Sequence, residues 1–246
     1  MFCSNCGNQV AEDAKFCEAC GHQVGQSASP SGGSVTANSE KPNEYISKGK
    51  EVSSAYFNVF VKQLKSPFYE ARQLHEDKMM NGLMTFVLLA ISISLTFFII
   101  ANNVARGLYD GPSFGSIFFG GAVSIVVMLF LVSLVIFVTL KIMRVETSYG
   151  VVVNRLGSLL SISLLISLIA VFFAIVQVNV MANFILYFAY LTASIAIFAV
   201  IFSFDRNEKG GIDPVYGVMI ASVGTALVFT FVFMVVMASF VDNLLF

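Results

Sequence analysis

Five stretches of this chain contain no Asp, Glu, Lys, Arg or His: residues 82–101, 116–140, 156–178, 184–204 and 215–241. Each is 20 to 27 residues long. About 20 apolar residues, rising 1.5 Å each, cross a hydrocarbon core of about 30 Å. Backbone polar groups in lipid must be satisfied internally, so each stretch is either a helix or part of a closed barrel. Barrel strands alternate apolar and polar residues over segments of about ten, and these runs do not. The expectation is an all-α polytopic membrane protein with five transmembrane helices inside residues 81–246. Composition agrees: 57% of the 246 residues are hydrophobic and 12% charged, where soluble domains carry about 25% charged residues. A disordered chain, a basic nucleic-acid-binding domain and a disulfide-rich secreted scaffold are excluded.

The few charges are sorted along the chain. Eight of the 14 Lys and Arg residues precede the first run, ending with Lys62, Lys65, Arg72 and Lys78. Lys141, Arg144 and Arg155 fall between the second and third runs, and Arg206 and Lys209 between the fourth and fifth. Arg106 alone lies between the first and second. Basic residues favour the cytosolic side of a membrane, so the pattern predicts a cell-membrane protein with a cytoplasmic N-terminus and an extracytoplasmic C-terminus.

All four cysteines lie near the front, as Cys3-Ser4-Asn5-Cys6 and Cys17-Glu18-Ala19-Cys20. Two residues between thiolates let one tight turn present both sulfurs to a metal, and two such turns complete the closed tetrahedral site of structural zinc. The alternative is a pair of disulfides or a redox couple. The chain opens directly on Met1-Phe2-Cys3, so the expectation is an end left in a reducing cytosol, which favours metal. His22 reads as a solvated turn residue, because four sulfurs already fill the shell. Residues 1–24 resemble the short zinc ribbon at the N-terminus of many bacterial membrane proteins. The resemblance implies one structural Zn2+ held by Cys3, Cys6, Cys17 and Cys20. Glu12, Asp13 and Glu18 against Lys15 leave this head acidic. An acidic head repels phosphate backbones, so a protein partner is expected and nucleic acid is not.

Residues 25–43 are rich in Ser, Gly, Pro and Asn without apolar periodicity, a flexible linker spanning about 25 Å root-mean-square. Residues 44–80 read as juxtamembrane amphipathic helices. Ile46, Val52, Tyr56, Val59 or Phe60, and Leu64 recur at helical steps beside Lys48, Lys50, Lys62 and Lys65. Such a basic helix suits either an anionic leaflet or the end of the bundle. Pro67 starts a second helix expected to reach Lys78, with Arg72 and Glu76 as an exposed pair.

Small residues mark packing seams: Ser163, Ser167, Ala170 and Ala174 in the third run, and Gly217, Ala221 and either Gly224 or Thr225 in the fifth. Gly120-Gly121 in the second run suggests another. Transport sites usually place ionisable groups or broken helices at mid-membrane. These runs hold no Asp, Glu, Lys or Arg and no internal proline, and the two histidines, His22 and His75, lie outside them. The expectation is therefore no enzyme and no catalytic residue.

Residues 45–246 look like the Yip family of five-span membrane proteins, or a bacterial relative. The likeness rests on the five spans, the Pro-containing approach and the stretch Glu146-Thr147-Ser148-Tyr149-Gly150 running on to Leu156-Gly157-Ser158. Eukaryotic members of that family are trafficking adaptors that bind small GTPases through their N-terminal region. A zinc ribbon stands there in this chain, so the resemblance implies the architecture and a generic adaptor role only. The leading expectation is a membrane-anchored adaptor or regulator whose ribbon binds a cytosolic protein. The alternatives are a small-solute or lipid permease using Ser158, Ser161, Ser163 and Ser167, and a zinc-dependent sensor.

Overall fold

The computed structural model describes residues 41–74, 79–105, 114–205 and 211–245. Cys3, Cys6, Cys17 and Cys20, and the linker as far as residue 40, lie outside the described residues. So do His75, Glu76 and Lys78. The chain divides into two compact units, Met1–Ser47 and Lys48–Phe246. The second holds the helical bundle.

Among the described residues all regular structure is helical. Helix α1 (Lys41–Lys65) begins inside the stretch expected to be linker. Helix α2 (Pro67–Gln73) starts on Pro67, as a helix can when its first N–H is unpaired anyway, and stops at Gln73 rather than Lys78 because Leu74 turns extended. Helix α3 (Met80–Ala105) follows. A π-helical stretch, Gly115–Phe119, leads into α4 (Gly120–Ile142). Then come α5 (Tyr149–Leu159), α6 (Ser161–Ile175), α7 (Asn179–Phe202) and α8 (Pro214–Leu245).

Among the described residues four helices are long and apolar enough to cross a membrane: α3, α4 with its π stretch, α7 and α8. The third run departs from the simple rod the hydropathy describes. It is a pair, α5 and α6, bent by 46° at Leu160, and becomes a fifth span only if the two are joined. The helix also begins at Tyr149, seven residues before the apolar run, and takes in Asn154 and Arg155. Hydropathy placed Arg155 in a loop because a charge in a span is costly; the side chain is nonetheless buried.

The small-residue faces are packing seams, as expected. Ser163, Ser167, Ala170 and Ala174 are fully buried, and the Ser163 and Thr192 hydroxyls bond at 2.9 Å, joining α6 to α7. Helix α8 lies on α4, with Gly217 against the Met143 side chain and Gly224 against Val135. The tightest crossing involves two glycines that periodicity did not single out. Gly82 on α3 meets Gly157 on α5, and a Cβ added at Gly82 would stand 2.5 Å from the Val153 carbonyl oxygen.

Helices α4 and α6 end alike. Arg144 and Gln177 take left-handed φ values of 59° and 67°. At each, the amide beyond reaches five residues back, Val145 to Leu140 and Val178 to Phe173. The residue itself reaches Lys141 or Ala174, a pair of Schellman closures that satisfies the last carbonyls.

Candidate functional site

Helix α2 meets the bundle at one end, and the residue that joins it there is Arg155. It stands on α5 beside the Gly82–Gly157 crossing, which draws the α5 backbone against α3. Ser148 caps the start of α5, accepting from the Val151 amide at 3.4 Å. The Tyr149 hydroxyl reaches across to Ser133 Oγ at 2.7 Å and pins that start on α4.

From this position the guanidinium donates in three directions. Its Nε bonds the Leu74 carbonyl and its Nη2 the Arg72 carbonyl, both at 3.2 Å. Its Nη1 bonds the Ser203 carbonyl and, at 3.4 Å, the Ser203 hydroxyl. The planar group also lies 4.0 Å from the centroid of the Phe204 ring, the stacked geometry guanidinium favours. Arg72 and Leu74 close α2, and Ser203 caps α7. One cation thus satisfies carbonyls at the ends of two helices, where partial negative charge accumulates. On the exposed flank Arg72 pairs with Asp205, a surface contact worth about 0–1 kcal/mol.

Chemically this is a clamp rather than a site for an anionic ligand, because all three nitrogens of Arg155 already have protein acceptors. Sequence reasoning missed it. The available signal was Arg155 immediately ahead of an apolar run, within a stretch that continues the helical pattern back to Tyr149.

Helix α1 joins the same end. Phe60 and Gln63 are buried against the bundle, the Tyr56 and Phe60 rings stack at 6.1 Å, and the Tyr56 and Thr85 hydroxyls bond at 3.0 Å. Burial pushes the Tyr56 phenol above its ordinary value, and the bond to Thr85 partly offsets this. The latter half of α1 therefore packs on the bundle, while residues such as Val52 and Phe57 stay exposed. At the far end of the bundle, the Asn103 amide on α3 bonds the Ala174 carbonyl and Asn179 Oδ1, each at 3.0 Å.

The serines expected to form a groove divide into two groups. Ser163 and Ser167 are hydrogen-bonded within the bundle. Ser158 and Ser161, either side of the bend, are buried with hydroxyls that have no partner among the described residues.

Two families of known proteins match. A profile described as a domain of unknown function, DUF6574, covers residues 46–245, and a zinc-ribbon domain profile covers residues 2–24. The latter contains Cys3, Cys6, Cys17 and Cys20. No curated protein and no solved structure matches the chain.

Proposed function

We propose that this chain, which belongs to the DUF6574 family, is a membrane-anchored, non-catalytic adaptor or regulator whose zinc ribbon binds a cytosolic protein. The observation that carries the reading is the zinc-ribbon match at residues 2–24 in front of a set of membrane-spanning helices. Four thiolates in two C-x-x-C turns suit one Zn2+, which would supply the folding free energy that so small a unit lacks. Cys3, Cys6, Cys17 and Cys20 would hold it, leaving the acidic surface around Glu12, Asp13 and Glu18 for a protein contact.

The orientation we infer has the N-terminus in the cytosol of a bacterial cell. It draws support from the bundle. Hydrogen bonds from Arg155 on α5 reach Arg72 and Leu74 at the end of α2 and Ser203 at the end of α7, so Arg72 and Arg155 meet at one end. An excess of Lys and Arg marks the cytosolic face. The five apolar spans and the amphipathic approach support a Yip-like architecture for residues 45–246, with the ribbon replacing that family's GTPase-binding region.

The test is in-cell crosslinking from Lys15, with the captured protein identified and then compared in a Cys17→Ser, Cys20→Ser variant. Capture of a defined cytosolic protein by the wild type, lost in the variant, is the expected result. Identical capture by both would refute the ribbon's role. A second reading, a small-solute permease, draws on the bend at Leu160 and the unpartnered Ser158 and Ser161 hydroxyls beside it. It requires flux into proteoliposomes faster than into protein-free vesicles.

A further inference from the structure

The latter half of α1 is seated on the bundle, but its earlier turns stand off from α3 and leave a cleft of about 620 Å³. Val52 and Tyr56 of α1 face Leu83, Met84, Val87 and Leu88 of α3 across it. The lining is almost wholly apolar, and the volume lies in the range of about 300–1,000 Å³ typical of small-molecule sites. Two features define its occupant. The α3 wall is the opening stretch of a membrane-spanning helix, with Val87 and Leu88 exposed, so the cleft opens where a span meets the membrane surface. The α1 wall is Gly49, Val52, Ser53 and Tyr56, and Lys50, next to Gly49, is exposed beside it.

We propose that this cleft binds one anionic phospholipid, an acyl chain lying between α1 and α3 and the headgroup meeting Lys50. An acyl chain gains no hydrophobic free energy by leaving other lipid tails for an apolar groove, since both surroundings are equally apolar. Selectivity must therefore come from the headgroup, and each lysine near an anionic surface contributes about a five-fold preference.

The test uses the full chain with its zinc, reconstituted in phosphatidylcholine vesicles doped with a phospholipid that carries a photoactivatable group along one acyl chain. The probe is phosphatidylglycerol in one arm and phosphatidylcholine in the other. Labelled peptides are mapped, with the α6 peptide carrying the exposed Phe172 and Ile175 as internal reference. The expected result is labelling at 49–56 and 80–88 that is several-fold stronger for the anionic probe, while the reference peptide is labelled equally. Lys50→Gln should reduce that preference about five-fold. Ser53→Trp, at an exposed position that can fill the cleft, should abolish the cleft labelling and leave the reference unchanged. Equal labelling by the two probes, cleft labelling no stronger than the reference, or no effect of Ser53→Trp would each overturn the proposal. Crosslinks showing residues 25–40 in the cleft instead of lipid would do the same.

Discussion

Replacing Arg155 with methionine keeps a long flexible side chain on α5 and removes its charge and every donor. The wild-type guanidinium serves the carbonyls of Arg72, Leu74 and Ser203 and stacks on Phe204. Ser203 is buried, so its carbonyl loses a partner that water does not readily replace, at a cost of about 1–3 kcal/mol. Arg72 is exposed and Leu74 partly so; their carbonyls can turn to water, at about 0.5–1 kcal/mol each. Losing the contact with Phe204 adds about 0.5–1 kcal/mol. These effects share one side chain and do not sum, so the expected loss is about 2–4 kcal/mol. It should fall on the docking of α2, which Arg155 holds to α7. A change of that size raises the local opening constant about 30- to 1,000-fold. Hydrogen exchange of the full chain in detergent reads this at the amides of residues 68–74, with α6 as reference. Arg155→Lys should fall between, because one ammonium keeps the charge but lacks the planar fork that reaches all three carbonyls. Wild-type exchange at 68–74 and an unchanged melting temperature in Arg155→Met would refute the clamp.

Three further outcomes are expected. Gly157→Ala places a methyl against the Gly82 backbone and should cost about 1–3 kcal/mol or more. Gly120→Ala meets nothing within 4 Å and should stabilise by about 0.5–1 kcal/mol; thermal unfolding in detergent compares the two. The folded chain holds the Tyr56 phenolic proton more tightly than the unfolded chain does. That contribution is complete below the ordinary phenol value near 10 and is lost as pH rises through the raised one. Tyr56→Phe should therefore flatten the alkaline limb of a stability–pH profile; a profile identical to wild type above pH 10 would contradict the assignment. Purified full chain should carry one zinc per molecule, and a chelator should open residues 1–24 to protease without lowering the melting temperature of the spans. Coincident loss of both would show that the metal supports the bundle as well.

The two parts of the chain differ in how openly they could be read. The cysteines declare their chemistry through spacing, because a C-x-x-C turn is local and needs no distant residue. The apolar runs declare membrane helices for a similar reason, since length and the absence of charge are summed along the chain. Their boundaries were less legible. Helix α7 starts at Asn179, before the apolar run at 184, because Asn179 has a partner in Asn103 on another helix. The end of α2 was misplaced too, for a helix stop at Leu74 is a backbone turn that Arg155 then secures from another helix.

What sequence alone determined is the set of apolar membrane-type helices, the two C-x-x-C pairs of a zinc-ribbon domain, the segregation of basic residues and the small-residue seams. Each follows from a property of single residues or short spacings. Only the tertiary structure decided that Arg155 is buried, that the third span bends at Leu160, that Gly82 meets Gly157, and that α1 rests on the bundle with a cleft beneath its earlier turns. Burying a cation depends on the acceptors gathered around it, here carbonyls more than 40 residues away in either direction. Hydropathy weighs the cost of the charge and has no measure of those partners.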